Sequence, residues 1–357
     1  MDVDLLVQTC LPKLFAAGLI EPTAHRNKGV AVKKVQVRQI ARLWGGMGYV
    51  HELNVALETN ESVPIIVKRI ELPANCTSIG DRRKKASYLH EIAFYENGHA
   101  AKLREAGAAV PLPLYTSVEN DVMQICMTKL TGNARGDLSV AECRSALTWL
   151  ATMHALYWGR TEEAIGPNTL GGLQQQGCYW YLDTRPDEWE NMPMRGWEGR
   201  LKLAAKAIDL RLKADPYQTI CMGDAKTANM IFSADGACQM YDFQYAGKAV
   251  ATHDVAYMLL SAMGDPQSEG ELVEFYHAEL SRLLELQGVV PPELERLRTS
   301  YELSCCDIAR WMSGWGWWGW ENLMRAKCEK VLFMLDQGKP LTSEAAYVDA
   351  MQRAFPV

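Results

Sequence analysis

The 357-residue sequence has no apolar run approaching the roughly 20 residues that span a bilayer, which excludes an ordinary transmembrane helix. It has no basic excess. Thirty-seven Lys and Arg against 43 Asp and Glu leave a net charge of −6, so there is no electrostatic footprint for nucleic acid or an anionic membrane. It has no C-x-x-C pair among ten cysteines, and no cysteine–histidine cluster at metal-ligand spacing. That is the usage of reduced core thiols in a cytoplasmic protein, not of a disulfide framework or a zinc site. The start, Met1-Asp2-Val3-Asp4, is acidic where a secretory signal is basic, and predicts a helix over Asp4 to Ile20 interrupted near Pro12. A Gly-x-Ser-x-Gly nucleophile turn is also missing, which removes a common hydrolase reading.

What remains is an ordinary globular composition, 48% apolar and 22% charged, on a chain long enough for two lobes. Its most informative stretch is Cys221-Met222-Gly223-Asp224-Ala225-Lys226-Thr227-Ala228-Asn229, followed by Met240-Tyr241-Asp242-Phe243-Gln244. An apolar strand end runs into a polar loop, leaves through a short strand, turns at Ala234-Asp235-Gly236 and returns to a second acid. This layout predicts Asp224, Asn229 and Asp242 at the ends of adjacent strands, facing one cleft. Phosphoryl transfer needs such a trio: one carboxylate to orient an attacking hydroxyl, an amide and a second carboxylate to hold magnesium against nucleotide phosphates. Asp-x4-Asn followed by Asp-Phe is the kinase order of parts. Lys226 can reach a phosphate oxygen as a point charge. The bland reading is a hairpin with solvated acids, and the upstream parts decide between the two.

Upstream, Val30 to Arg42 and Leu53 to Leu57 read as strands around a glycine-rich turn, Leu43 to Val50. Gly46 and Gly48 there allow backbone amides to approach phosphates, and a plain hairpin is the alternative. Lys68 sits in the apolar strand Val63 to Ile70, where a buried ammonium requires an anionic partner. A snorkelling surface lysine is the alternative; the candidate partner is Glu91, on the apolar face of a helix predicted over Gly80 to Ala106. A strand lysine paired with a helix glutamate is how kinases place the lysine on the α- and β-phosphates. The run Arg82-Arg83-Lys84-Lys85 is either a solvated face or a site for a phosphate-rich partner. Pro111 to Ser117 and Val122 to Thr128 are two further strands, turning at Glu119-Asn120-Asp121. The aperiodic stretch after them is the expected hinge. In a kinase, the backbone from Met127 through Lys129 to Leu130 would meet the adenine edge.

Downstream, Ser139 to Trp158 is an apolar helix whose His154 reads as a packed core residue. Gly159 to Gly177 is loop, with Gly166-Pro167-Asn168 as a breaker. Tyr179 to Trp189 is rich in aromatics, a substrate wall (with Trp180 and Asp183) or an anchor to the core. Only about ten residues separate Gln244 from a helix starting near His253, which leaves no room for a protein-kinase activation segment. Asp254 either caps that helix or braces the catalytic loop. In the helical remainder, Asp307 to Trp320 alternates tryptophans with small residues. Asp307, Trp311 and Trp315 there are acceptor-site candidates, with a cation–π cage and a helix–helix contact as alternatives.

On these residues the chain resembles the aminoglycoside phosphotransferase and choline kinase superfamily, and looks closest to its ecdysteroid kinase-like branch. The most specific pieces are Gly223-Asp224-x4-Asn229, Asp242-Phe243-Gln244 and Leu150-Ala151-Thr152-Met153-His154. The resemblance implies Asp224 as catalytic base with Lys226 beside it, Asn229 and Asp242 as magnesium ligands, and Lys68 with Glu91 at the phosphates of ATP. Met222 stands where the family usually has a loop-bracing histidine, which predicts altered packing, not lost chemistry.

The expectation is therefore an α+β, bilobal kinase-like fold: an N-lobe over residues 1–128, a hinge over 129–137 and a helical C-lobe over 138–357. Its expected activity is Mg-ATP-dependent phosphorylation of a hydroxylated small molecule in the cytoplasm, with neither nucleic acid, membrane nor obligate protein partner. A pseudokinase scaffold is the first rival and a protein kinase the second.

Overall fold

The computed structural model describes residues 2–20, 32–72, 79–119, 121–165 and 172–357. Val30 at the head of the first expected strand, Asn120, the Gly166-Pro167-Asn168 breaker and Cys76 lie outside them. The chain forms two compact units, Met1–Lys102 with Val110–Leu130, and Leu103–Ala109 with Thr131–Val357.

The first unit holds helix α1 (Val3–Ala16), strands β1 (Val32–Arg42), β2 (Gly48–Leu57) and β3 (Ser62–Glu71), helix α2 (Ile79–Glu96), and strands β4 (Pro113–Glu119) and β5 (Val122–Thr128). The strands form one antiparallel sheet in the order β1-β2-β3-β5-β4. Alternation along each strand separates its two faces. Leu53, Val55 and Leu57 of β2, Ile65 and Val67 of β3, and Cys126 of β5 pack with Leu6, Val7, Cys10, Leu11 and Leu14 of α1. Lys68, one residue out of that phase, is carried by the other face.

Two elements depart from expectation. Pro12 does not interrupt α1, which runs through it to Ala16. Pro12 and Gln8, the residue that would accept from an amide there, are both exposed. The lost hydrogen bond is thus on the solvent side, while buried side chains hold the helix on either side of the proline. The helix expected over Gly80 to Ala106 is two, α2 and α3 (His99–Glu105), broken at Asn97-Gly98, where Gly98 takes φ +78°. The glycine ends the first helix in left-handed backbone.

The larger unit is mainly helical: α4 (Val140–Leu156), α5 (Glu162–Ile165), α6 (Pro186–Asn191), α7 (Gly196–Lys213), α8 (Thr252–Ala262), α9 (Glu269–Leu286), α10 (Leu294–Trp315), α11 (Glu321–Asp336) and α12 (Glu344–Ala354). Ser139 and Glu142 close a capping box at the start of α4. Two short antiparallel pairs sit among these helices. Strand β6 (Gln218–Cys221) pairs with β9 (Gly247–Val250), and β7 (Met230–Phe232) with β8 (Cys238–Met240). The architecture is α+β, an N-terminal antiparallel sheet and a larger helical part, as expected. The nine described cysteines are all free and buried. Among the described residues no helix is long and apolar enough to cross a membrane.

Candidate active site

Strand β6 delivers the chain to a loop whose shape is set by Gly223. Its φ is +84°, and a Cβ there would lie 2.0 Å from the Tyr245 carbonyl oxygen, so only glycine fits. The loop is held from below by Asp254 of α8. Its buried carboxylate accepts the backbone N–H of Met222 (2.6 Å) and of Gly223 (2.9 Å). Of the two roles open for Asp254, the structure selects the brace, since Ala251 occupies the cap position of α8. His154 completes the support, with Nε2 3.2 Å from Asp254 and Nδ1 2.7 Å from the Tyr276 hydroxyl. Burial opposes charge on His154, but its bonds to Asp254 and Cys221 outweigh it and raise the pKa to about 9.

Asp224 follows the braced turn and is buried. Its Oδ2 lies 2.9 Å from the Lys226 ammonium and accepts from Asn229 Nδ2 at 3.0 Å. Among the described atoms its buried Oδ1 has no hydrogen-bond partner. Burial raises the Asp224 pKa against the lowering pull of Lys226, and the Asp242 charge adds to the rise. Asn229 donates through the same nitrogen to the Asp224 carbonyl at 2.9 Å, which leaves the side-chain oxygen as its acceptor end. Asp242 takes φ +68°, a left-handed conformation that aspartate tolerates better than most residues.

Asn229 and Asp242 flank a paired hairpin, while Asp224 leaves a strand outside it. Strand β6 pairs with β9, a strand the sequence reading missed, while β7 and β8 form a separate hairpin. Asp224 leaves β6, Asn229 ends the 3₁₀ turn Thr227–Asn229 before β7, and Asp242 follows β8. A bond from Tyr241 N to Asn229 O (3.2 Å) ties the last two stretches together. An oxygen set of one amide and one carboxylate suits magnesium, a hard cation that keeps several waters.

In the first unit, Lys68 Nζ lies 2.5 Å from Glu91 Oε2, with both side chains buried. The ammonium also sits 5.3 Å from the Tyr88 ring centre. The glycine turn forms a 3₁₀ turn, Trp44–Gly46, and enters β2 with Gly46 at φ +72° and Gly48 at +133°. Met127 of β5 accepts the Tyr95 hydroxyl on its sulfur (3.7 Å), and the Lys129 ammonium lies 2.8 Å from Glu52 Oε1.

Three of the five acceptor candidates are enclosed. Trp180 and Trp311 stack with centroids 6.1 Å apart, and both are buried. Asp307 is buried and committed to Arg310 (2.8 Å) and His253 (3.3 Å). Burial works against its charge, yet Arg310 and His253 hold its pKa down to about 2. Asp183 is exposed with its carboxylate on Lys213 (2.9 Å), and Trp315 is half exposed. The small residues among the tryptophans serve close approach: a Cβ on Gly314 would fall 1.7 Å from the Glu188 carbonyl oxygen. Near Asp224 stand Tyr179, from the aromatic stretch, and Tyr257, which the sequence reading did not single out as a site residue; their hydroxyls are 3.0 Å apart. Burial and the Asp224 charge raise the pKa of each phenol. The available signal was the spacing of Asp254 and Tyr257, which places both on neighbouring turns of one helix.

In the larger unit Asp224 is thus buried beside Asn229, with Oδ1 unpartnered among the described atoms, and the sheet unit separately holds the buried Lys68–Glu91 pair. Residues 51–294 match the model of the phosphotransferase enzyme family known as APH, and the chain belongs to that family. No curated protein sequence matches it. It is similar to the solved structure of an aminoglycoside-3'-phosphotransferase of type VIII, with 18% identity, 85% of this chain and 99% of that one covered, and a TM-score of 0.43. It is also similar to the choline kinase LicA from Streptococcus pneumoniae, at 14% identity, 99% and 98% coverage and a TM-score of 0.46. A third is a thermostable mutant of aminoglycoside phosphotransferase APH(4)-Ia in complex with ADP and hygromycin B, at 13%, 84% and 94%, and 0.48.

Proposed function

We propose that this phosphotransferase transfers the γ-phosphoryl of Mg-ATP to a hydroxyl of a small organic acceptor, in the cytoplasm, and belongs to the ecdysteroid kinase-like branch. The observation that carries the reading is the division of labour in Asp224. Lys226 and Asn229 fix Oδ2, while Oδ1 is buried and has no hydrogen-bond partner among the described atoms. That leaves one oriented lone pair for an incoming hydroxyl proton. In the step itself, the acceptor oxygen bonds to the γ-phosphorus, the bond from phosphorus to the bridging oxygen breaks, ADP departs and the proton passes to Asp224 Oδ1.

Asn229 and Asp242 would hold magnesium, which supplies charge neutralisation on the phosphates. Lys68, steadied by Glu91, would bind the α- and β-phosphates. The turn at Gly46 and Gly48 would cover them, and the backbone at Met127 and Lys129 would hold the adenine. Residues 1–128 then act as the nucleotide lobe, 129–137 as hinge and 138–357 as catalytic and acceptor lobe. The test is an untargeted mass comparison of a metabolite extract incubated with Mg-ATP and either the wild type or Asp224→Asn. A metabolite that gains one phosphoryl group is expected with the wild type, its rate falling at least about 100-fold in the variant while Mg-ATP still shifts the melting temperature. Equal rates would end Asp224's role. ATP binding without any product would favour a pseudokinase.

A further inference from the structure

Beside Asp224 lies a wall of rings that the reaction above does not use. Tyr179 packs on Tyr245 (5.0 Å) and Trp311 (4.9 Å), and Trp311 on Trp315 (6.3 Å) and Trp318 (4.7 Å). Two of its rings, Tyr179 and Trp315, already carry the chain's own cations. Lys226, 2.9 Å from Asp224, stands 5.8 Å from the Tyr179 ring centre. Arg185 lies 5.1 Å from the same ring and 6.0 Å from Trp315. Its Nε donates to the Tyr179 carbonyl (2.8 Å), and Glu188 meets it at a long 3.3 Å. Glu188 is the more enclosed partner, with 11% of its side chain exposed against 24% for Arg185, so the guanidinium is the group turned outward.

Three buried polar atoms of the indoles and Arg310 agree in sign. Trp180 Nε1, Trp311 Nε1 and Arg310 Nη1 have no hydrogen-bond partner among the described atoms, and each is a donor. Apart from Asp224, whose Oδ1 is kept for the acceptor hydroxyl in the reading above, the carboxylates nearby are committed, Asp307 to Arg310 and His253, and Glu188 to Arg185. A cage for an ammonium would show open ring faces and a further carboxylate free to meet the cation.

We infer that the phosphoryl acceptor carries an anionic oxygen group beside its hydroxyl, taken by Arg185 over the Tyr179 and Trp315 rings, and carries no ammonium there. The inference rests on Asp224 as the reacting base, and its test needs neither nucleotide nor turnover, so the two readings fail separately. Three probes that share a hydroxymethylated ring and differ in the charge of the para substituent, para-hydroxymethyl benzoate, benzamide and benzylammonium, are titrated into the full-length protein by calorimetry. Benzoate is expected to bind tightest, at least about fivefold tighter than benzylammonium, with the gap falling below about twofold in Arg185→Leu. Any other probe binding as tightly as benzoate, or none binding up to about 10 mM, or an unchanged gap in the variant, overturns it.

Discussion

Removing the Asp254 carboxylate is expected to loosen the Met222–Asp224 loop without touching the Asp224 carboxylate. In Asp254→Ala, the N–H groups of Met222 and Gly223 lose their acceptor in a fully enclosed site. Each unpaired buried donor costs about 1–3 kcal/mol. The change also strips His154 of the carboxylate that keeps it charged. A folded pKa of about 9 against 6.5 unfolded is worth roughly 3 kcal/mol. These losses overlap, and about 4 kcal/mol in total is expected, the usual cost of breaking a buried pair. The sign of the pH effect follows from the raised pKa. The His154 contribution is complete below pH 6.5 and fades as pH rises through about 9. Urea unfolding of wild type and variant from pH 6 to 10 should therefore show a stability gap that narrows with rising pH. Asp254→Asn, which keeps one acceptor oxygen, should fall between them. A gap below about 1 kcal/mol, or one that stays constant across that range, would refute the brace.

Two further outcomes test the rest of the machinery. Lys68→Met leaves the Glu91 carboxylate buried without its ammonium, and is expected to cost on the order of 3 kcal/mol, largely recovered in Lys68→Met with Glu91→Leu; a double-mutant cycle by urea unfolding checks it, and additive losses would count against the pairing. Gly223→Ala drives a methyl against the Tyr245 carbonyl, so the loop must shift, and turnover should fall about 100-fold while α-helical circular dichroism is unchanged; a rate within twofold of wild type would show that the loop tolerates the shift.

The proposed site residues stand out because phosphoryl transfer asks for particular residue types at particular spacings. Asp224, Asn229 and Asp242 are proposed from order alone, and the Lys68–Glu91 ion pair, which the structure contains, was expected from the cost of an ammonium in an apolar strand. What supports them was not legible, because it joins residues far apart in sequence. Nothing local marks β9 as the partner of β6, since a four-residue strand is too short for its alternation to stand out. Pro12 argued locally for a break, and tertiary packing overrode it. The tryptophan stretch was ambiguous for another reason: alternating indoles and glycines serve a tight helix contact and an open pocket equally well. Only burial separates the two, enclosing Trp180 and Trp311 while leaving Trp315 at the surface. The substitution at Met222 follows the same logic. Its side chain is buried, and the loop's two amides are bound by Asp254, itself held by His154 from α4. With the brace made by groups outside the Gly223-Asp224 motif, the residue at 222 is free to be apolar, and the loop keeps its shape.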